Sequence, residues 1–94
     1  MKYRVVSLFS GAGGLDLGFK LSGGYEILFA NELLQAPAET YSFNFGVKVV
    51  EGSYSSEDLP GIVRGDVSEL DFAPLADLDV DVVTLQTAYF VRIY

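Results

Sequence analysis

The sequence predicts an α/β fold in which short parallel strands alternate with helical segments. A mostly apolar run, Tyr3–Phe9, contains β-branched residues and stops at a glycine-rich turn, which is typical of a strand buried on both faces. A second run of this kind, Tyr25–Ala30, lies between two helical segments. Strands separated by helices form βαβ units with right-handed crossovers, so we expect a parallel sheet.

The two helical segments are bounded by residues that start or end helices. The first spans Leu15–Leu21. Its apolar residues alternate as they would in a strand, but a glycine turn after a buried strand usually opens a helix. Gly23 is suited to the left-handed conformation that ends one. The second segment spans Ala36–Phe45, with Pro37 in its first turn and Gly46 after its end.

The second half of the chain has weaker patterns. Residues 47–60 are rich in Gly, Ser and Pro and are expected to form mainly loop. Ile62–Arg64 is a very short candidate strand, and Asp71–Leu78 is expected to be a short helical or irregular connection. Asp79–Leu85 has the β-branched content of a further strand. We therefore expect about four parallel strands with flanking helices.

Composition and charge exclude several classes of function. The 94 residues contain no cysteine and no histidine, which excludes disulfides, thiolate or histidine metal sites and a serine triad. The net charge is −7, and residues 51–81 hold nine acids against Arg64 alone. Nucleic acids favour basic surfaces, so residues 51–81 are expected to form a solvated acidic face and not a DNA-binding surface. No apolar run reaches the ~18 residues of a membrane span, and a cytoplasmic location is expected.

The glycine turn is the first candidate binding feature. Glycines let the backbone approach a ligand closely, and the following helix offers unpaired N–H groups to an anion. The spacing differs from the dinucleotide pattern G-x-G-x-x-G because Asp16 stands where the third glycine would be. By itself the turn leaves open a nucleotide-type site or an ordinary glycine turn. Phe9, at the end of the strand, is either a core residue or part of a ligand floor.

Two carboxylates follow later strands at the same edge of the predicted sheet. Glu32 comes 21 residues after Gly11 and could accept hydrogen bonds from both hydroxyls of a ribose, or it could be an ordinary surface carboxylate. Asp66 follows Gly65 and could accept from an exocyclic adenine amine, with Val67 packing on the ring. The alternative for Asp66 is a turn residue that caps local backbone.

Taken together, these segments resemble one family. Leu8–Phe19 (LFSGAGGLDLGF) resembles the opening motif of the DNA cytosine-5 methyltransferases. Later segments match that family in order: Asn31-Glu32, Asn44-Phe45-Gly46, Gly65-Asp66-Val67 and Asp81–Thr84. The resemblance covers residues 3–84 of a partial domain spanning 1–94. It implies a Rossmann-like S-adenosylmethionine-dependent methyltransferase fold, with the four predicted strands in the order 3-2-1-4.

The resemblance also implies roles for individual residues. S-adenosylmethionine would be the cofactor, with its methionine end against Phe9, Ser10, Gly11, Ala12, Gly13 and Gly14. Glu32 would hold the ribose, Leu33 would cover the adenine, and Asp66 and Val67 would contact its amine and ring. In the family, which includes restriction–modification enzymes, a cysteine thiolate attacks C6 of a flipped-out cytosine in DNA and C5 then takes the methyl group.

The chain departs from the family after Thr84. The family carries a Pro-Cys loop there, whereas residues 85–94 contain neither proline nor cysteine. We therefore expect an N-terminal fragment without the catalytic loop and the DNA-recognition lobe, inactive in methyl transfer by itself. Its fourth strand would be an open edge, and this edge with Tyr89–Tyr94 is expected to self-associate.

Two functions of other classes stay open. The chain could be a non-catalytic module that binds S-adenosylmethionine, or a structural fragment with no ligand. A dinucleotide-binding domain is disfavoured because the glycine spacing differs.

Overall fold

The computed structural model describes residues 1–85, which form a five-stranded parallel sheet and two α-helices. The strands are β1 (Tyr3–Leu8), β2 (Tyr25–Glu32), β3 (Lys48–Glu51), β4 (Gly61–Arg64) and β5 (Val82–Leu85). The helices are α1 (Gly14–Ser22) and α2 (Gln35–Phe45). Three single 3-10 turns lie in the connections, at Ser56–Asp58, Val67–Glu69 and Ala73–Leu75.

The order of the strands confirms the predicted α/β fold. The sheet runs β3-β4-β2-β1-β5, and every adjacent pair is parallel. The four strands predicted from the sequence correspond to β1, β2, β4 and β5, and they lie in the predicted order 3-2-1-4. Both helices end as predicted, because Gly23 and Gly46 adopt left-handed φ values of 80° and 66° at their C-termini.

The direction of each crossover decides which face of the sheet it covers. The chain steps from β1 to β2 and on to β3 in one direction, so right-handed crossovers place α1 and α2 on the same face. It steps back from β3 to β4 and from β4 to β5, so segments 52–60 and 65–81 cover the opposite face. The helix-side core contains Ala30, Ala38, Tyr41 and Ile62, and the opposite core contains Val6, Leu28, Phe29, Val63 and Leu75.

The structure corrects two boundaries of the sequence prediction. Residues 47–60 were expected to be mainly loop, but Lys48–Glu51 form β3 at the sheet edge, paired in parallel with β4. Val49 and Val50 give this short segment a strand propensity. The Gly and Ser residues that follow led to the prediction of a loop. The last strand was expected to begin at Asp79, but β5 begins at Val82. Asp79 has a left-handed φ of 51°, which a strand cannot accommodate.

Within residues 1–85, no helix is long and apolar enough to cross a membrane. The predicted contribution of Tyr89–Tyr94 to self-association lies outside the described residues.

Candidate functional site

The predicted site residues lie where β1, β2 and β4 end. Backbone hydrogen bonds join the residues that follow β1 and β4 to the last residues of β2, the strand between them. The Ser10 amide donates to the Asn31 carbonyl at 2.8 Å, and the Gly65 amide donates to the Glu32 carbonyl at 3.1 Å. The three segments singled out in the sequence therefore form one continuous surface at the carboxyl edge of the sheet, which is where open α/β sheets bind ligands.

The glycine turn changes the chain direction between β1 and α1. Phe9, Gly11 and Gly13 have positive φ values of 53°, 59° and 98°. Gly13 is the residue before α1 and has no side chain to cap the helix. The first N–H groups of a helix have no partner within the helix. Those of α1 therefore form a patch of positive potential that suits an anionic group.

Glu32 connects the glycine turn to the start of α2. Its Oε1 atom accepts from the Gly11 amide at 2.9 Å, and its Oε2 atom accepts from the Leu34 amide at 2.8 Å. The residue is only 2% exposed. It is therefore not the solvated surface carboxylate that the sequence left open as an alternative. It is an acceptor held at the centre of the carboxyl edge.

Two side chains hold the neighbouring backbone. Asn31 is buried, and its Nδ2 atom donates to the carbonyls of Val63 at 3.2 Å and Gly65 at 2.9 Å. Arg64 donates from Nη1 to the Leu33 carbonyl at 3.1 Å and from Nε to both carboxylate oxygens of Glu51 at 2.9 Å. The Glu51 carboxylate raises the pKa of Arg64 above its ordinary value. Asn31 thus fixes the end of β4, and Arg64 fixes the residue that follows Glu32.

Asp66 caps the 3-10 turn that follows β4. Its Oδ1 atom accepts from the amide and the hydroxyl of Ser68 at 2.9 and 2.8 Å, and these bonds lower the pKa of the carboxyl group. The local capping role that the sequence left open is therefore present. Neither of these two bonds uses the other carboxylate oxygen of Asp66, Oδ2, and the residue is exposed. Val67 next to it is half-buried, and Leu33 is 52% exposed.

Two separate cavities border this edge. One of about 450 Å³ is lined by Ala12, Gly13, Gly14, Leu17, Asn44 and Phe45. The other, of about 290 Å³, includes Tyr54, Gly65, Asp66 and Asp71 in its lining. Burial and the nearby Asp71 carboxylate raise the pKa of Tyr54 to about 12. The two cavities have no lining residue in common, so Asp66 lines a space separate from the one beside the glycine turn.

Sequence reasoning missed a buried polar cluster beneath the turn. Asp16 accepts from the Ser7 hydroxyl at 2.8 Å and from the Tyr41 hydroxyl at 2.6 Å. The sequence interpretation considered Asp16 as a departure from the dinucleotide glycine pattern and as part of the family's opening motif, and it assigned no polar role to Tyr41. Acidic residues are common in the first turn of a helix, so the local pattern did not indicate that Asp16 is buried.

Comparison with known proteins decides the family. The family model of C-5 cytosine-specific DNA methylases matches residues 3–73. The chain belongs to this family. It is 48% identical over 85 residues to the DNA (cytosine-5-)-methyltransferase M.ApeKI of Aeropyrum pernix, a match that covers 87% of this chain and 18% of the relative.

Other relatives give the same result. The Type II methyltransferase M.FnuDI of Fusobacterium nucleatum is 46% identical over 68 residues, covering 66% of this chain and 20% of the relative. The Type II methyltransferase M.MthTI of Methanothermobacter thermautotrophicus is 45% identical over 71 residues, covering 69% of this chain and 21% of the relative. The chain thus spans about a fifth of the length of these methyltransferases. No solved structure matches it significantly.

Proposed function

We propose that this chain is the N-terminal, cofactor-binding part of a DNA (cytosine-5-)-methyltransferase and that it binds S-adenosylmethionine. The observation that carries the proposal is the 2.9 Å hydrogen bond from the Gly11 amide to Glu32. The resemblance assigns both groups to one cofactor, and they are in contact although 21 residues separate them. Family membership supports the class of cofactor, and the position at the carboxyl edge supports the place where it binds.

The groups at this edge fit the chemistry of the proposed cofactor. The first N–H groups of α1 suit the methionine carboxylate, with Phe9, Ser10 and Ala12 completing the turn around it. Glu32 suits the two ribose hydroxyls, which are hydrogen-bond donors. Asp66 suits the adenine amine, and Leu33 and Val67 offer apolar surface to the ring. Bound S-adenosylmethionine supplies an activated methyl group on a sulfonium, and the residues of this chain bind and orient it.

The methyl-transfer step itself needs groups from elsewhere. The 94 residues contain no cysteine, so we propose that the nucleophilic thiolate and the contacts to DNA come from outside them. The nine acids in residues 51–81 also argue against DNA binding by this surface. The setting we propose is a cytoplasmic restriction–modification system, since several relatives are Type II methyltransferases. Purified alone, the chain should transfer no labelled methyl group to DNA.

Calorimetric titration with S-adenosylmethionine tests the binding proposal. Three proteins are compared: the natural chain, Glu32→Gln and Glu26→Gln. Glu26 lies on the same strand as Glu32 but near its other end and is exposed, so its substitution makes the same chemical change away from the site. We expect Glu32→Gln to weaken binding at least about tenfold, because charge-assisted hydrogen bonds to hydroxyls are lost. The Glu26→Gln control should bind like the natural chain.

Each result has a distinct meaning once circular dichroism shows that all three proteins are folded. Binding that is weakened only in Glu32→Gln supports the proposal. Absence of binding to the folded natural chain contradicts it and leaves a structural role. Equal binding by all three proteins contradicts the assignment of Glu32.

A specific observation supports self-association as a second function. β5 is an edge strand of the described sheet, and its Val83 and Leu85 side chains are 63% and 51% exposed. Val83 also lines an apolar cavity of about 280 Å³ with Val6, Leu8, Phe72, Leu75 and Val80. Edge strands with apolar side chains recruit other chains. We propose that a second copy of this chain pairs at β5.

Light scattering over a range of protein concentrations tests this second proposal. Val83→Lys places a charge on the β5 edge and should yield a monomer. Phe43→Lys is the control, because Phe43 is also an exposed apolar residue but lies on α2, away from that edge. A natural chain that stays monomeric at high concentration and 0.15 M salt would contradict self-association.

A further inference from the structure

Three buried polar residues meet beneath the glycine turn. Asp16 is fully buried, with 0% exposure, as is Ser7, and Tyr41 is 2% exposed. The Ser7 hydroxyl donates to Oδ1 of Asp16 at 2.8 Å, and the Tyr41 hydroxyl donates to Oδ2 at 2.6 Å. Each carboxylate oxygen thus has a donor, which is the condition under which a carboxyl group is tolerated in a protein interior.

The cluster joins the three elements that surround the turn. Ser7 lies on β1, Asp16 lies in the first turn of α1, and Tyr41 lies on α2. Asp16 follows Gly13 by three residues, so a hydrogen bond to its side chain acts on the helix end whose N–H groups face the proposed cofactor. Burial raises the pKa of Asp16, while the bonds from Tyr41 and Ser7 act in the opposite direction.

The aromatic rings of Tyr41 and Phe45 on α2 also pack against the glycine turn. A Cβ atom on Gly13 would lie 2.4 Å from Cε2 of Phe45 and 2.9 Å from Cδ2 of Tyr41. The two rings stack on each other, with centroids 4.2 Å apart and an interplanar angle of 20°. Tyr41 therefore contacts the turn by its ring and holds the helix start by its hydroxyl.

We infer that Tyr41 is a positioning residue, which acts through Asp16 to orient the N-terminal amides of α1 and to hold the shape of the glycine turn. The inference rests on the proposed cofactor-binding function. Packing alone would hold α2 on the sheet, because Ala38 and Ile62 are fully buried there. Buried polar pairs are frequently no more stabilising than apolar residues of the same shape. This cluster therefore orients the start of α1 more than it stabilises the fold.

The first experiment measures amide hydrogen exchange by NMR without cofactor. Tyr41→Phe keeps the ring and removes the hydroxyl, and Ser7→Ala removes the other donor to Asp16. Tyr25→Phe is the control, since it removes the hydroxyl of a half-buried tyrosine at the far end of β2. We expect Tyr41→Phe to speed exchange at Gly11, Gly13 and Leu17 about tenfold more than at the β4 amides.

The alternative to positioning is a purely structural role. A loss of global stability speeds exchange in β4 and in the turn alike, whereas a positioning role affects the turn selectively. Equal changes in both regions, or no change in the turn, would overturn the inference. If Tyr41→Phe does not fold, the same comparison with Ser7→Ala decides the question.

Cofactor titration of the same variants separates this inference from the proposed function. We expect Tyr41→Phe to weaken S-adenosylmethionine binding about tenfold, as couplings through packed networks do, with Tyr25→Phe unchanged. A natural chain that fails to bind contradicts the proposed function, and the exchange measurement still decides whether Tyr41 holds the turn. Natural binding that is unchanged in a selectively loosened Tyr41→Phe would contradict the link between the turn and the cofactor.

Discussion

The carboxyl edge of the sheet buries polar residues, whereas the β5 edge exposes apolar ones. The buried polar residues Ser7, Ser10, Asp16, Asn31 and Glu32 all lie in or beside the glycine turn and the end of β2. Every one of them has a hydrogen bond there. At the β5 edge, by contrast, apolar Val83 and Leu85 are exposed. The first region has the buried hydrogen bonds that a pre-organised binding site requires, and the second exposes apolar side chains on an edge strand.

The largest expected effect is on the turn itself. Gly13→Ala should lower the free energy of unfolding by roughly 3 kcal/mol, because a φ of 98° strains any other residue and the new Cβ meets the Phe45 and Tyr41 rings. Gly18→Ala should instead raise it by about 0.5–1 kcal/mol, since Gly18 is inside α1 and nothing lies within 4 Å of an added Cβ. Urea denaturation of both variants checks the opposite signs, and a neutral Gly13→Ala would contradict the packing described.

Removing the Asn31 amide should have the next largest effect. Asn31→Ala leaves the Val63 and Gly65 carbonyls without their side-chain donor and should cost about 2 kcal/mol. Asn44→Ala is the control, because Asn44 is exposed, and it should change stability by less than about 0.5 kcal/mol. Denaturant midpoints measure both. Equal losses would show that the carboxyl edge is no more dependent on buried polar bonds than the surface.

The polar cluster should also give a pH dependence of stability. Asp16 has a pKa raised above its ordinary value of 3.8 in the folded chain, mainly by burial. The unfolded chain therefore releases this proton at lower pH than the folded chain does. The contribution of Asp16 to stability is present at low pH and is lost as pH rises through the folded pKa.

Comparison with Asp16→Asn isolates this contribution, since the other acids are common to both proteins. The stability of the natural chain relative to Asp16→Asn should increase as pH falls from 7 towards 4. Urea midpoints of the two proteins at several pH values in this range measure the difference. A difference that stays constant, or that decreases with falling pH, would contradict the direction of the shift.

The smallest effect on stability is expected at the β5 edge. Val83→Lys should change the free energy of unfolding by no more than about 0.5 kcal/mol, because Val83 is 63% exposed. Thermal melts at low concentration measure this. A loss of more than about 8 °C would correspond to at least about 1 kcal/mol. It would show that Val83 belongs to the core and not to an exposed edge, which would contradict the contrast between the two regions.

Local patterns in the sequence were sufficient for most of the architecture. The apolar runs and the glycines that end them predicted β1, β2, α1 and α2 to within one or two residues. The strand order followed from the resemblance to the methyltransferase family. The proximity of Glu32 to the glycine turn followed as well, because the carboxyl ends of neighbouring parallel strands share one edge.

The remaining features depend on contacts between distant residues. The bond between Asp16 and Tyr41 joins residues 25 positions apart on two helices, and no single-segment pattern contains it. β3 has only four residues, which is too few for a periodic pattern in the sequence. It forms a strand because it pairs with β4, a contact that the local sequence does not contain. β5 begins later than predicted because Asp79 has a left-handed φ. The regular strand pattern of residues 79–85 did not indicate this conformation.

The most direct test of a cofactor site at the carboxyl edge is an NMR titration of the ¹⁵N-labelled chain with S-adenosylmethionine. The glycines serve as reporters, since some lie at the edge (Gly11, Gly13, Gly14 and Gly65) and others lie at the C-terminus of α1, away from it (Gly23 and Gly24). We predict saturable shifts of the first group, together with Asp66 and Val67, while the second group stays unchanged. Shifts confined to Gly23 and Gly24, or no saturable shift in the folded chain, would contradict a cofactor site at the carboxyl edge.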